Sequence, residues 1–243
     1  MLRFVVKSDK FVQKIRDTYK QLQEKIQNLL VVSINIQPKH AAILEGEQEI
    51  VLTHNAFLPM TLNHIPLYIK SKSFFQTNTY IAENLYKTAS EWVATLQIDS
   101  IWDLFCGVGG FGLSCVNNAA SNGIKLTGIE INSDAIECAS KTANTLDFKH
   151  LTFKSLDATQ YAIATQDIPD LVLLNPPRRG AGKDLMQYLE NVKPNYVLYS
   201  SCNLTSLTED LTFLSNYQIV KVQLFDMFPH TSHMEILVLL AKK

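Results

Sequence analysis

The sequence predicts an α/β protein: a small α/β module, then a doubly wound, mostly parallel sheet that ends in an antiparallel hairpin. Three observations carry this. Short apolar strands alternate with amphipathic helices from about residue 100 onward, the first of these strands runs into a glycine-rich loop, and the last two strands have no helix between them. The chain has 243 residues, 47% hydrophobic and 19% charged, enough to bury a sizeable core and outside the range of disordered or collagen-like chains. At roughly 150 residues per domain, it fits one large domain or two modest ones.

The front module is assigned to residues 1–73. Residues 2–7 read as a strand, and Val12, Ile15, Tyr19, Leu22, Ile26 and Leu29 recur at helical spacing with lysines and Arg16 between them, an amphipathic helix with a basic outer face. Residues 31–37 form a second strand. Gly46 then separates two extended apolar runs within 41–53, as a hairpin turn requires. Ten basic against six acidic residues give this part +4, while twelve against seventeen give the remainder −5, so the total is −1 and any nucleic-acid affinity must come from local patches.

Residues 74–243 form the second domain. Ile81, Leu85, Ala89, Trp92, Val93 and Leu96 make one helical stripe, and strands are expected at 100–105, 125–130, 151–155, 170–174 and 195–201, with helices such as 132–147 and 182–192 between them. The closing strands, 217–225 and 234–241, are joined by a short loop with Pro229 and should pair antiparallel at one edge. No internal repeat or low-complexity tract interrupts the pattern.

Cys106, Cys115, Cys138 and Cys202 show no CxxC spacing and are too sparse for a disulfide scaffold, which fits a reducing cytoplasm. The opening residues lack the apolar core of a signal peptide, and no run approaches the roughly 18 apolar residues of a membrane span. A cytoplasmic monomer with no membrane partner is the expectation.

In DLFCGVGGFGL, Gly107, Gly109 and Gly110 let backbone amides approach a ligand at a strand end and open a helix. A tight strand-to-helix turn needs glycine in any case, so the loop by itself decides little. Glu130, ending the second strand, is placed to accept both hydroxyls of a ribose, and together the two features favour a nucleoside cofactor. The glycine spacing is not G-x-G-x-x-G, and Asp103 suits an amino-acid moiety better than a pyrophosphate; S-adenosylmethionine meets both conditions. Asp157, past the third strand, either bonds the adenine amine or caps the next helix.

After the fourth strand, LLNPPRRG holds its backbone extended through two prolines, so that carbonyls and the Asn175 side chain project into the crevice. Arg178 and Arg179 suit phosphate or carboxylate contacts there, with plain surface solvation as the alternative. Cys202 lies between the fifth strand and a helix start, where the helix dipole is expected to favour the thiolate; Cys106, Cys115 and Cys138 read as packing residues. Glu235 enters an apolar strand, where burial would raise its pKa and suit it to accept a proton, against a salt bridge with an arginine as the alternative. His230 and His233 resemble half a metal site, but nothing further lies at ligand spacing, and no metal is expected. The parts imply one chemistry: the Cys202 thiolate adds at carbon 6 of a flipped-out uracil, carbon 5 becomes nucleophilic enough to take a methyl group, and Glu235 removes the carbon-5 proton so that the thiol is eliminated.

FFQTN, DLFCGVGGFGL, LNPPRRG, YSSCN and FPHTSHMEIL, in that order, closely resemble the RNA uracil-C5 methyltransferases over nearly the whole chain. Asn175 before the prolines, MFPHT, and the NIQ and EGE segments look most like the branch that methylates 23S ribosomal RNA. The resemblance implies a Rossmann-like class I methyltransferase sheet, Cys202 as nucleophile, Glu235 as base, and Gln76, Phe105, Glu130 and Asn175 lining the S-adenosylmethionine or base pocket, with Phe105 stacking on adenine. Members of that branch usually begin with a cysteine-rich segment carrying a [4Fe-4S] cluster, whose ligands are absent here. A truncated gene product, or one that has lost an RNA-binding element, is therefore expected to hold 23S RNA through its basic front module alone. An exocyclic-amine methyltransferase is the nearest rival, but Arg178 stands where its NPP loop usually has an aromatic residue. A catalytically silent RNA-binding module is the other, and the presence of both Cys202 and Glu235 argues against it.

Overall fold

The computed structural model describes residues 1–39, 44–118, 123–146, 148 and 150–243. The chain divides into two compact units, one of residues 1–60 with 68–72, the other of residues 61–67 with 73–243.

The first unit is built on β1 (Leu2–Val6), α1 (Val12–Lys25), β2 (Val32–Ile36) and β3 (Gln48–Val51). β1 pairs parallel with β2, and β3 antiparallel with it. Of the apolar stripe on α1 only Ile15 is buried, while Lys14, Arg16, Lys20 and Lys25 are exposed, as the basic outer face requires. Across β2, Arg3 bonds Glu49 and Glu45, and Asn35 donates to Glu49 Oε2 at 2.8 Å. Although burial opposes it, these bonds bring the Glu49 carboxyl down to about 2.

Residues 41–43 of the hairpin expected within 41–53 lie outside the described residues; among the described ones, β3 pairs antiparallel with β2. Gly46 is also required by close packing. A Cβ there would lie 1.9 Å from the Ile36 carbonyl oxygen, and its N–H donates to Asn35 Oδ1 at 2.7 Å. A hairpin does occur at β4 (Leu58–Leu62) and β5 (Ile65–Ile69), turning through Asn63 and His64, both at positive φ. Pro59 and Pro66 disguise these strands in the sequence.

In the second unit, α2 (Thr79–Val93) precedes β6 (Ser100–Leu104), α3 (Gly110–Asn118), β7 (Lys125–Glu130), α4 (Ser133–Thr145), β8 (Leu151–Ser155) and α5 (Ala158–Ala164). There follow β9 (Leu171–Leu174), α6 (Lys183–Val192), β10 (Tyr196–Ser201), α7 (Leu204–Leu211), β11 (Tyr217–Phe225) and β12 (Glu235–Lys242). The seven strands are ordered β11-β12-β10-β9-β6-β7-β8, parallel except for β12, which runs antiparallel to both neighbours. Every central strand is apolar on both sides, so the sheet feeds two cores: Leu85, Ile101, Leu113, Leu198 and Leu237 belong to one, Leu104, Val172, Leu189, Val197 and Ile236 to the other. Strand order reverses between β6 and β9, which opens a crevice beyond their carboxyl ends. Among the described residues, no helix is long and apolar enough to cross a membrane.

Candidate active site

The loop after β6 is held in an unusual backbone shape. Phe105 has φ +65°, Gly107 +54° and Gly109 +80°, and Phe105 alone of these carries a side chain. At Gly109 a Cβ would come within 3.1 Å of Ala139 Cβ and Phe153 Cε1, so glycine lets the loop settle against α4 and β8. At Gly107 a Cβ would meet nothing within 4 Å: the space above this residue is open. Glu130, at the end of β7, accepts from Gly107 N–H at 3.2 Å through Oε2 and from Asn132 N–H at 2.9 Å through Oε1.

Asp103 lies beneath this loop rather than facing the crevice. It has no exposed surface, and its Oδ2 accepts from Gly112 N–H at 3.0 Å, which fastens the start of α3. Among the described residues its Oδ1 has no partner; burial, with the Glu130 charge adding, pushes the carboxyl up to about 7 despite the Gly112 bond. Asp157 caps α5, accepting from Gln160 N–H at 2.9 Å, the blander of the two roles considered for it. Gln76 is buried. Asn175 follows β9, half-buried, its backbone N–H 3.4 Å from the Leu104 carbonyl.

Arg178 and Arg179 are exposed on the turn closed by Gly180 N–H to the Pro177 carbonyl. The turn is anchored from below. Asp210 accepts from Tyr199 Oη at 2.6 Å, from Ala181 N–H at 2.7 Å and from Gly182 N–H at 3.3 Å, and a Cβ at Gly180 would sit 2.6 Å from Asp210 Oδ2. Asn203 Nδ2 donates to the Arg178 carbonyl at 2.9 Å, and Arg178 Nη2 lies 3.2 Å from His233 Nδ1. His233 thus serves this contact; among the described residues, no three His, Cys, Asp or Glu side chains are grouped to hold a metal ion.

Sheet register decides which side chains meet. β10 and β12 pair antiparallel with Ser200 against Leu237 and Ser201 against Ile236. Continued one step further, this register sets Cys202 opposite Glu235, and the Glu235 charge is felt at the Cys202 thiol. Cys202 is half-exposed, whereas Cys106, Cys115 and Cys138 are buried. Glu235 is 3% exposed and bonded by the Ser200 hydroxyl at Oε1, so the salt bridge considered for it is not made. Burial pushes the Glu235 carboxyl up to about 7, opposed by the Ser200 bond.

The expected depression of the Cys202 thiol does not occur. Burial first, then the Glu235 charge, raise it above its ordinary value, against the pull of the Arg178 guanidinium and of the cysteine's own N–H. Sequence reasoning also missed Ser200 and Asp210. Period-two alternation along YSSC placed Ser200 on one face with Cys202, the one local signal that pointed to it.

Residues 8–243 match the family model described as tRNA (Uracil-5-)-methyltransferase. The chain belongs to this family. It is 53% identical over 242 residues to the 23S rRNA (uracil(747)-C(5))-methyltransferase RlmC of Pectobacterium atrosepticum, covering 100% of this chain and 64% of that protein. Against the RlmC of Proteus mirabilis it is 54% identical over 240 residues, 99% of this chain and 63% of the relative. The family member therefore spans a little under two thirds of the length of these curated relatives. Among solved structures, the tRNA (uracil-54, C5)-methyltransferase of Pyrococcus abyssi, in complex with S-adenosyl-L-homocysteine, superposes with a TM-score of 0.76 at 27% identity, over 90% of this chain and 53% of that one. Trm5b from Pyrococcus abyssi shares the fold at a TM-score of 0.59 and 12% identity.

Proposed function

We propose that this chain methylates carbon 5 of a uridine in 23S ribosomal RNA through a transient covalent bond to Cys202. The observation that carries the reading is the pairing of a half-exposed Cys202 with a buried Glu235 at the carboxyl end of the sheet. The ribosomal specificity rests on the likeness to the RlmC proteins, which extends over the whole chain.

S-adenosylmethionine suits the residues present. The open space at Gly107, the Glu130 carboxylate beside it and the buried residue Gln76 offer a cradle, a ribose acceptor and a polar side chain. Phe105 supplies a ring for adenine, Asn175 a polar side chain at the mouth of β9, and Asp157 its second carboxylate oxygen, while Asp103 steadies the loop from below. Bound there, the cofactor would supply a methyl group on a positively charged sulfur.

Cys202 gives its proton to solvent water and adds its sulfur to carbon 6 of the uracil, and the electron pair of the ring double bond moves toward carbon 5 and the carbonyl. After carbon 5 carries its new methyl group, Glu235 takes the carbon-5 proton; the double bond re-forms and the carbon–sulfur bond breaks, returning the thiolate. A carboxyl near 7 is half ionised at neutral pH and so exchanges a proton readily in either direction. The exposed Arg178 and Arg179, and the basic face of α1, supply cations for RNA phosphates. We take the acting unit to be a monomer in the cytoplasm.

RNA containing 5-fluorouridine tests this, because fluorine cannot leave as the proton does. Incubated with the chain and S-adenosylmethionine, it should yield a denaturant-stable protein–RNA adduct. Absence of that adduct, or its persistence in Cys202→Ala, would refute the reading.

A further inference from the structure

We propose that Ser200 is a positioning residue for this reaction: its buried hydroxyl aims the Glu235 carboxylate and steadies it in the charged form that accepts a proton. The inference rests on the reading of Glu235 as the base.

Ser200 has no exposed surface, and its position on β10 is one where an apolar side chain would be ordinary. Tyr196 and Leu198 precede it at two-residue steps and pack in the core that holds Leu85, Leu113 and Leu237, and Leu237 is its own partner across the ladder. A hydroxyl in such a layer costs free energy unless it is bonded. It is bonded to Glu235 Oε1, 35 positions away in the chain and diagonally across the β10–β12 register. Among the described residues no donor reaches Oε2. One oxygen is therefore held by the strand below while the other stays free, the arrangement a base needs if its acceptor oxygen is to have one direction.

The groups whose ionisation is felt here come from several elements. Burial and then the Glu235 charge raise Cys202, on the loop after β10; burial, then the Asp103 charge and last the Glu235 charge raise Tyr86, on α2; from β11 Glu235 is paired with the apolar Phe225. Arg178 acts on Cys202. Among these groups only Ser200 is hydrogen-bonded to the carboxylate, and its bond works against the burial that would otherwise keep the acid protonated.

The test uses carboxyl-labelled glutamate in the full chain, with the Glu235 resonance identified by its loss in Glu235→Gln. In the unmodified protein that carboxyl should titrate near 7. Ser200→Ala should move the midpoint up by about one pH unit, since bonds to charged groups are worth that order. Ser200→Thr should keep the original midpoint and the equally sized Ser200→Val should not, so a strained strand cannot imitate the effect. On uridine RNA, release of the adduct by Ser200→Ala should slow about fivefold at pH 7 and approach parity near pH 9, as follows from the same one-unit displacement. An unmoved midpoint in Ser200→Ala, or Thr and Val variants that behave alike, would overturn the proposal. Normal release by Glu235→Gln would instead overturn the assignment of the base, whatever the titration shows.

Discussion

Replacing Glu235 by glutamine should make Cys202 more reactive toward a small alkylating agent, although it removes a group needed for turnover. The facing carboxylate opposes a second negative charge, and the substitution deletes that charge while leaving an amide oxygen for the Ser200 hydroxyl. Unit charges roughly 5 Å apart, the spacing of opposed side chains in a ladder, interact by about 3 kcal/mol at an effective dielectric constant near 20. Cys202 is half-exposed, so solvent screening reduces this to about half, or about one pH unit. The size of the effect depends on pH. Below about 7 Glu235 is already largely protonated and the two proteins should react alike; above it the unmodified protein should lag, up to about tenfold. Iodoacetamide followed by peptide mass spectrometry reads this out at Cys202, since the other three cysteines are buried. Identical pH–rate profiles for the two proteins would show that the thiol and the carboxylate do not sense each other, and the proposed pairing would fall.

Arg178→Ala should act in the opposite direction on the same assay, moving the Cys202 inflection to higher pH because a stabilising cation is lost; no movement would remove Arg178 from the thiol's surroundings. Asp103 binds its proton more tightly in the fold than in the unfolded chain, so the native state loses relative stability as pH rises from about 4 to about 7. Asp103→Asn should flatten that part of the pH–melting curve, and an unchanged slope would refute the assignment of a raised carboxyl. Gly107→Ala combines a left-handed φ with a methyl group in otherwise open space, so calorimetry should show loss of S-adenosylhomocysteine binding with a stability cost of only about 1 kcal/mol. Gly128→Ala, whose Cβ would fall 2.4 Å from Phe153 Cδ1, should instead cost about 1–3 kcal/mol in thermal melts through overpacking of the sheet.

Much of the architecture was legible because it follows from local rules. Strand and helix periodicity located nearly every element of the second unit, and the glycines of the β6 loop marked a turn that side chains would strain. The β4–β5 hairpin escaped notice because its prolines argue against strands until the Asn63–His64 turn is seen to make them an isolated pair. The close approach of Gly46 to the end of β2 is a contact with a separate segment, which the local pattern around residue 46 does not show.

The candidate site divides along the same line. Sequence alone determined which chemical groups are present and on which strand ends they stand: Cys202 after β10, Glu235 opening β12, Glu130 ending β7. Tertiary structure decided that Cys202 and Glu235 face each other, that Ser200 holds the carboxylate, that Asp103 lies under its loop, and that the thiol is raised rather than lowered. Backbone conformation is set by sterics over a few neighbouring residues and so can be read from them. Ionisation is set by desolvation and by charges across the sheet, and those depend on the register between strands that lie far apart in the chain.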